Sequence, residues 1–83
     1  MALQFSKHAI ERLSARGIQK ELVLEVLQTP DTIIEESNCV RIFQKLDVQK
    51  GNSYLIRVFV NVCKEPKLII TAYRTSKVNK YDH

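Results

Sequence analysis

The sequence predicts one α+β domain, residues 1–83, in which a hairpin of two helices packs on one face of an antiparallel sheet of about four strands. The first observation is periodicity: apolar residues recur with a helical period before Pro30 and with a period of two after it. The second observation is the position of the two glycines and two prolines, which lie between the periodic segments and therefore mark turns or helix ends. A chain of this length builds one core, with a radius of gyration of about 12 Å.

The first predicted helix covers residues 7–16. Ser6 is a good N-cap, and Gly17 supplies the left-handed residue that ends many helices. Ile10 and Leu13 are expected to form its buried stripe, with Ala9 beside them.

The second predicted helix covers residues 19–28 and ends before Pro30, since the residue preceding a proline avoids helical geometry. Its buried face is expected to contain the four apolar residues Leu22, Val23, Val26 and Leu27.

The strands follow from the alternation after Pro30. Four are predicted, over residues 32–36, 39–46, 53–62 and 67–74. Lys50-Gly51-Asn52 marks a hairpin loop between the two central strands, and residues 3–5 could add a short edge strand.

The helices can cover only one face of this sheet. We expect that face to hold Ile56, Val58, Val60 and Val62. The opposite face is then expected to carry cations and aromatic rings, namely Arg41, Phe43, Lys45, Arg57 and Phe59. Arg41 and Arg57 would then lie near each other and either bind an anion, extend into solvent or pair with a carboxylate such as Asp47.

Charge is distributed unevenly along the chain. Residues 1–38 carry four cations and six carboxylates, a net charge of −2, whereas residues 39–83 carry nine cations and three carboxylates, a net charge of +6. The basic half favours an anionic partner, either nucleic acid or an acidic protein, although a solvated charged surface has the same composition.

Several function classes are excluded by composition. The apolar runs are too short to span a bilayer, and no secretory signal precedes Lys7, so we expect a cytoplasmic protein. In a reducing compartment Cys39 and Cys63 are expected to be free thiols. No metal or organic cofactor is predicted, because no histidine has carboxylates or thiols at ligand spacing.

His8 and Arg12 lie four residues apart on the first predicted helix, and Arg16 continues the same line. The first turn of a helix disfavours cations, so we expect His8 to hold the neutral imidazole that a general base needs. A surface or capping histidine has the same spacing, and that interpretation stays open.

The segment from Thr71 to Lys77 ends the last predicted strand. Tyr73 could stack on a base and Arg74 could bind a phosphate, while Lys77 and Lys80 extend a basic tail. In the alternative interpretation, Tyr73 is simply a residue of high strand propensity at a sheet edge, and the lysines that follow it only increase solubility.

Three motifs carry a family resemblance: FSKHAxxRLxxRGI at residues 5–18, VxxVLxxP at 23–30 and ITAYRTSK at 70–77. Together they resemble the domain-of-unknown-function 4258 family, which is similar to the RelE-like group of small bacterial toxins. The resemblance implies a helical hairpin on a curved antiparallel sheet and points to His8, Arg12, Arg16, Tyr73 and Arg74. It also implies ribonuclease activity in a toxin–antitoxin pair.

Two functions therefore remain open. In a metal-independent endoribonuclease, His8 would transfer the proton, Arg12, Arg57 or Arg74 would stabilise phosphate charge, and Tyr73 would stack on a base. RNA contacts would come from Arg16, Arg41, Lys45, Lys77 and Lys80, and a cognate antitoxin would be the protein partner. The alternative is a non-catalytic module that binds protein or nucleic acid through the same fold. Self-association through a sheet edge is compatible with either function.

Overall fold

The computed structural model describes residues 3–78. The elements in chain order are β1 (Leu3–Phe5), α1 (Lys7–Arg16), α2 (Lys20–Gln28), β2 (Thr32–Glu35), β3 (Val40–Gln49), β4 (Asn52–Asn61) and β5 (Lys67–Thr75). The five strands form one sheet in the order β1-β5-β4-β3-β2. The α+β class is confirmed, but the sheet is mixed and has five strands, because β1 joins it parallel to β5. The radius of gyration is 12.2 Å, as predicted.

Helix α1 begins and ends at the predicted residues. The Ser6 hydroxyl accepts a hydrogen bond from the Ala9 amide at 2.9 Å, and Gly17 adopts a φ of 65°. The Ile18 amide donates to the Leu13 carbonyl at 3.0 Å, which closes a left-handed cap. Ala9 and Leu13 are buried, whereas Ile10 is 44% exposed, so the prediction that Ile10 lines the buried stripe is wrong.

Helix α2 starts one residue later than predicted, with Gln19 as its N-cap. Val23, Val26 and Leu27 are buried and Leu22 is partly buried, as the helical period predicts. The two helices pack on one side of the sheet against Ile56, Val58, Val60, Ile69 and Ala72, which completes the core.

The β3–β4 hairpin corrects the predicted sheet faces. Its turn consists of Lys50 and Gly51, both with positive φ. Gln49 and Asn52, which flank this turn, are therefore paired directly across the two strands. Paired residues share a face, so odd-numbered residues of β3 lie on the same side as even-numbered residues of β4. Arg41, Phe43 and Lys45 therefore lie on the helix side, opposite Val60, Val58 and Ile56.

The sheet face turned away from the helices consequently has a different composition from the predicted one. Arg57 and Phe59 lie there as expected, but their β3 neighbours are Gln44 and Ile42, both buried. Arg41 and Arg57 are on opposite faces, so the predicted arginine pair does not form.

Cys39 and Cys63 form a disulfide with Cα atoms 5.1 Å apart, and the expectation of free thiols is wrong. Cys39 precedes β3 and Cys63 follows β4, and the pairing of Val40 with Asn61 brings the two cysteines together. Strand register decides this proximity, which a sequence separation of 24 does not reveal.

Neither described helix has the length and apolar character required to cross a lipid bilayer.

Candidate functional site

The face away from the helices carries a polar group at its centre. Arg57 lies on β4, paired in register with Gln44 on β3 and with Tyr73 on β5. Its Nε donates to the Gln44 amide oxygen at 2.6 Å, and its Nη1 donates to the Tyr73 hydroxyl. Arg57 is only 8% exposed and Gln44 only 2%, so these hydrogen bonds compensate the burial of a cation and an amide.

Two aromatic rings complete this group. The Phe59 and Tyr73 rings have centroids 6.0 Å apart, and the Arg57 Cζ lies 5.5 Å from the first centroid and 5.6 Å from the second. A guanidinium at this distance is attracted to the electron-rich ring faces. We call Gln44, Arg57, Phe59 and Tyr73 the Arg57 cluster. Its geometry fixes Arg57 and holds the Tyr73 ring in place.

A second group lies on helix α1. His8, Arg12 and Arg16 are exposed and follow one another at four-residue spacing, and we call them the α1 row. The Arg12 Nε donates to the His8 Nε2 at 3.1 Å. His8 Nε2 is therefore the acceptor of this hydrogen bond.

Arg16 connects the two groups. Its Nη1 donates to the Ala72 carbonyl at 2.8 Å and to the Thr71 hydroxyl at 3.2 Å. Thr71 pairs with Phe59 and lies on the same face as Tyr73, about 7 Å along the strand. The α1 row and the Arg57 cluster thus lie on opposite sides of the part of β5 that extends beyond its pairing with β1, which we call the β5 edge. Arg16 reaches from the row to this edge.

Arg74 is separated from Tyr73 although it is the next residue. It pairs with Ile56 and so lies on the helix side of the sheet, where its Cζ is 5.9 Å from the Tyr54 ring centroid. The Arg74 Nε is buried and has no hydrogen-bond partner. A single site that contains Arg57, Tyr73 and Arg74 is therefore not formed.

The cations predicted on β3 make local contacts. Arg41 donates to the Ser37 carbonyl at 3.0 Å and forms an ion pair with Glu35 at 3.8 Å. Lys45 donates to the Thr29 hydroxyl at 2.6 Å. Arg41 and Lys45 both lie on the helix side of the sheet, opposite the face that carries the Arg57 cluster. They therefore cannot contact the same RNA segment as that cluster across one sheet face.

The predicted basic tail is described only in part. Lys77 is exposed, and its backbone amide donates to the Thr75 hydroxyl at 3.1 Å. Lys80 lies outside the described residues. Within residues 3–78, no three His, Cys, Asp or Glu side chains are grouped as metal ligands would be.

The residues of the α1 row, and those of β5 up to Arg74, fall within one family match. A family model described as "Domain of unknown function (DUF4258)" matches residues 5–74. The chain belongs to the DUF4258 family. The match contains His8, Arg12, Arg16, Arg57 and Tyr73 and ends at Arg74, before the basic tail. Comparisons with curated proteins and with solved structures give no match.

Two members of the site in this DUF4258 protein were not predicted. Gln44 is a polar residue in an alternating strand, and its burial could have been inferred only from its register with Arg57. Thr71 lies inside the family motif at residues 70–77, but its contact with Arg16 requires α1 to pack along β5.

Proposed function

We propose that this DUF4258 protein is a metal-independent endoribonuclease similar to the RelE-like toxins, with its site along the β5 edge. The observation that carries the proposal is the bridge from Arg16 to Thr71, which joins a histidine–arginine row to the strand that bears Tyr73. The row supplies a base and fixed positive charge, and the strand supplies an aromatic ring.

RNA contains its own nucleophile, so the protein needs no covalent residue. In the proposed reaction His8 Nε2 accepts the proton of the 2′-hydroxyl, whose oxygen attacks the adjacent phosphorus. The bond from phosphorus to the 5′-oxygen breaks, and a proton from solvent completes the leaving 5′-hydroxyl. The products are a 2′,3′-cyclic phosphate and a 5′-hydroxyl, and no metal or redox partner is consumed.

The other residues have supporting roles in this proposal. Arg12 leaves His8 for a phosphate oxygen, which frees Nε2 and places a cation where negative charge develops. Arg16 contacts the neighbouring phosphate, and Tyr73 stacks on a base. Arg57 is a positioning residue, because its contacts orient the Tyr73 ring. The resemblance to RelE-like toxins adds a cognate antitoxin as partner and the cytoplasm as location.

The test is cleavage of total RNA by purified protein at low salt in the presence of a chelator, with the new ends identified chemically. We expect 2′,3′-cyclic phosphate and 5′-hydroxyl ends from wild type, and a loss of about 10²–10⁴-fold in His8→Ala. Lys7→Ala is the matched control, since Lys7 is an exposed neighbour on α1 outside the row. Intact RNA with wild type, or equal cleavage by His8→Ala, would refute the proposal.

A non-catalytic nucleic-acid-binding module is the second candidate, and one observation favours it. Arg12 already occupies the nitrogen of His8 that would accept the proton. In such a module the wild-type protein binds RNA without cleaving it. The logarithm of its binding constant falls linearly with the logarithm of the salt concentration, with a slope proportional to the number of phosphates contacted. Arg16→Gln would then reduce the slope of log K against log salt by about one.

A further inference from the structure

The β3–β4 hairpin extends beyond its neighbours in the sheet. Strand β2 pairs with β3 only as far as Gln44, and β5 pairs with β4 only from Leu55 onward. Residues 47–54 therefore form a two-stranded ribbon that no third strand of the described chain reaches. Because a two-stranded hairpin by itself is marginally stable in water, this ribbon gains stability if a further strand pairs with it.

The free edge of β3 presents backbone hydrogen-bonding groups to solvent. The Leu46 amide donates to the Asp31 carboxylate at 2.8 Å, so it points away from β4. Alternate residues of an antiparallel strand direct their backbone groups to the same edge, so the N–H and C=O of Val48 also point away from β4. No strand within residues 3–78 lies beside them. Val48 thus offers both a donor and an acceptor to an added strand.

The side chains along this edge are apolar on one face. Val48 is 61% exposed and Leu46 is 44% exposed, and both lie on the sheet face turned away from the helices. Asp47 and Gln49 lie on the other face, where the Gln49 amide donates to the Asp47 carboxylate at 3.0 Å. Exposed edges are usually protected by charged side chains, and none from residues 46–49 lies on the apolar face of this one.

We propose that this edge pairs with the same edge of a second copy of the chain, in an antiparallel register centred on Val48. A two-fold axis there places the two Val48 residues opposite each other, so the N–H of each donates to the C=O of the other. Their exposed side chains then cover each other. The inference is independent of the proposed RNA cleavage, because it uses neither the α1 row nor the Arg57 cluster.

The charges along the edge favour a second copy as the partner. In this register Asp47 lies opposite Gln49 of the other copy, so a carboxylate faces an amide donor. Lys50 lies opposite Leu46 of the other copy and hence beside the Asp31 carboxylate that accepts from the Leu46 amide. A register centred on Asp47 would instead place two carboxylates directly opposite each other, which is destabilising. The edge is therefore complementary to itself when Val48 is at the centre.

The experiment combines sedimentation velocity with amide hydrogen exchange over about a hundredfold range of protein concentration. A short strand pair is smaller than a standard interface, so we expect a weak dimer with a dissociation constant of about 0.1–1 mM. The Val48 amide should exchange about tenfold more slowly when nine-tenths of the protein is dimeric, because it exchanges only from the monomer. A monomer at millimolar concentration, or a dimer in which the Val48 amide is not protected, would overturn the proposal.

A pair of variants tests the centre of the interface. Val48→Lys places two cations opposite each other and should raise the dissociation constant by at least about tenfold. Ile10→Lys is the control, since Ile10 is 44% exposed on α1 and the change likewise replaces an exposed apolar side chain with a cation. It should dimerise as the wild-type protein does. Dispersed amide spectra verify that both variants are folded.

A second pair tests the predicted contact between Lys50 and Asp31. Lys50→Glu brings a carboxylate beside Asp31 of the other copy, so it should weaken the dimer, and added salt should reduce this effect. Lys64→Glu makes the same change in net charge beyond the other end of the hairpin and should leave dimerisation unchanged. Dimerisation of Val48→Lys at the wild-type affinity, or equal effects of the two glutamate variants, would overturn the proposal.

Discussion

Arg57 on β4 donates a hydrogen bond through Nη1 to the Tyr73 hydroxyl on β5, on the sheet face opposite both helices. The same guanidinium donates through Nε to Gln44 on β3. One side chain thus connects the three central strands through polar contacts. The cluster stabilises the sheet and orients the ring that we place in the proposed site.

Removing the Tyr73 hydroxyl tests this relationship. Tyr73→Phe keeps the ring and deletes the acceptor of a cation that is only 8% exposed, so we expect a loss of about 1–3 kcal/mol in the free energy of unfolding. Urea denaturation measures it. Tyr54→Phe is the matched control and should change stability by less than about 0.5 kcal/mol, since it keeps the ring beside Arg74. Equal effects would contradict the assigned role of the Tyr73 hydroxyl.

Gln44 and Arg57 should be energetically coupled. Gln44→Leu leaves the Arg57 Nε without its acceptor, and Arg57→Met leaves the buried Gln44 amide without its donor. The double variant removes both polar groups, so its loss of stability should be smaller than the sum of the single losses by about 1–2 kcal/mol. A thermodynamic cycle from urea denaturation gives this number. A parallel cycle of Gln44→Leu with Arg16→Gln should be additive, and coupling of similar size in both would argue against a specific contact.

Arg16 should stabilise the β5 edge. Arg16→Gln removes the donor to the Ala72 carbonyl at 2.8 Å and a cation from the last turn of α1, so we expect a loss of about 1 kcal/mol. Amide exchange along β5 should become faster. Arg12→Gln, whose hydrogen bond goes to exposed His8, should leave both exchange and stability nearly unchanged. The assignment fails if Arg12→Gln has the larger effect on β5.

The disulfide should contribute to stability through the loop it closes. Cys39 and Cys63 are 24 residues apart, and closing a loop of that length stabilises a fold by about 3.5 kcal/mol in the chain-entropy model. Wild type should therefore unfold at lower urea concentration when a reductant is present. The Cys39→Ala/Cys63→Ala variant should be insensitive to the reductant.

Thiol labelling in cells tests whether Cys39 and Cys63 form the disulfide in the compartment where the protein acts. Alkylation at the moment of lysis, followed by mass spectrometry, shows whether the cysteines are paired or free. Two labelled thiols in the cell, together with a disulfide after purification in air, would agree with a reducing location. Thiols that are labelled without reduction in the purified protein would contradict the pairing.

The local elements of this protein could be predicted from the sequence because neighbouring residues encode them. Ser6 and Gly17 bound α1 through a hydroxyl acceptor and a left-handed φ, both of which act over a single helical turn. The apolar period placed Val23, Val26 and Leu27 in the core, and Val58 with them. The α1 row follows in the same way, since four-residue spacing on a helix determines a shared side.

Only the tertiary structure decided which side chains meet across strands. The two-residue turn at Lys50 and Gly51 fixes the β3–β4 register, and a shift of one residue would have placed Phe43 or Lys45 rather than Gln44 opposite Arg57 on the outer face. The same register brings Cys39 to Cys63. It takes the packing of α1 along β5 to bring Arg16 to Thr71. These contacts join residues far apart in the chain, so local periodicity identifies the candidates but not their partners.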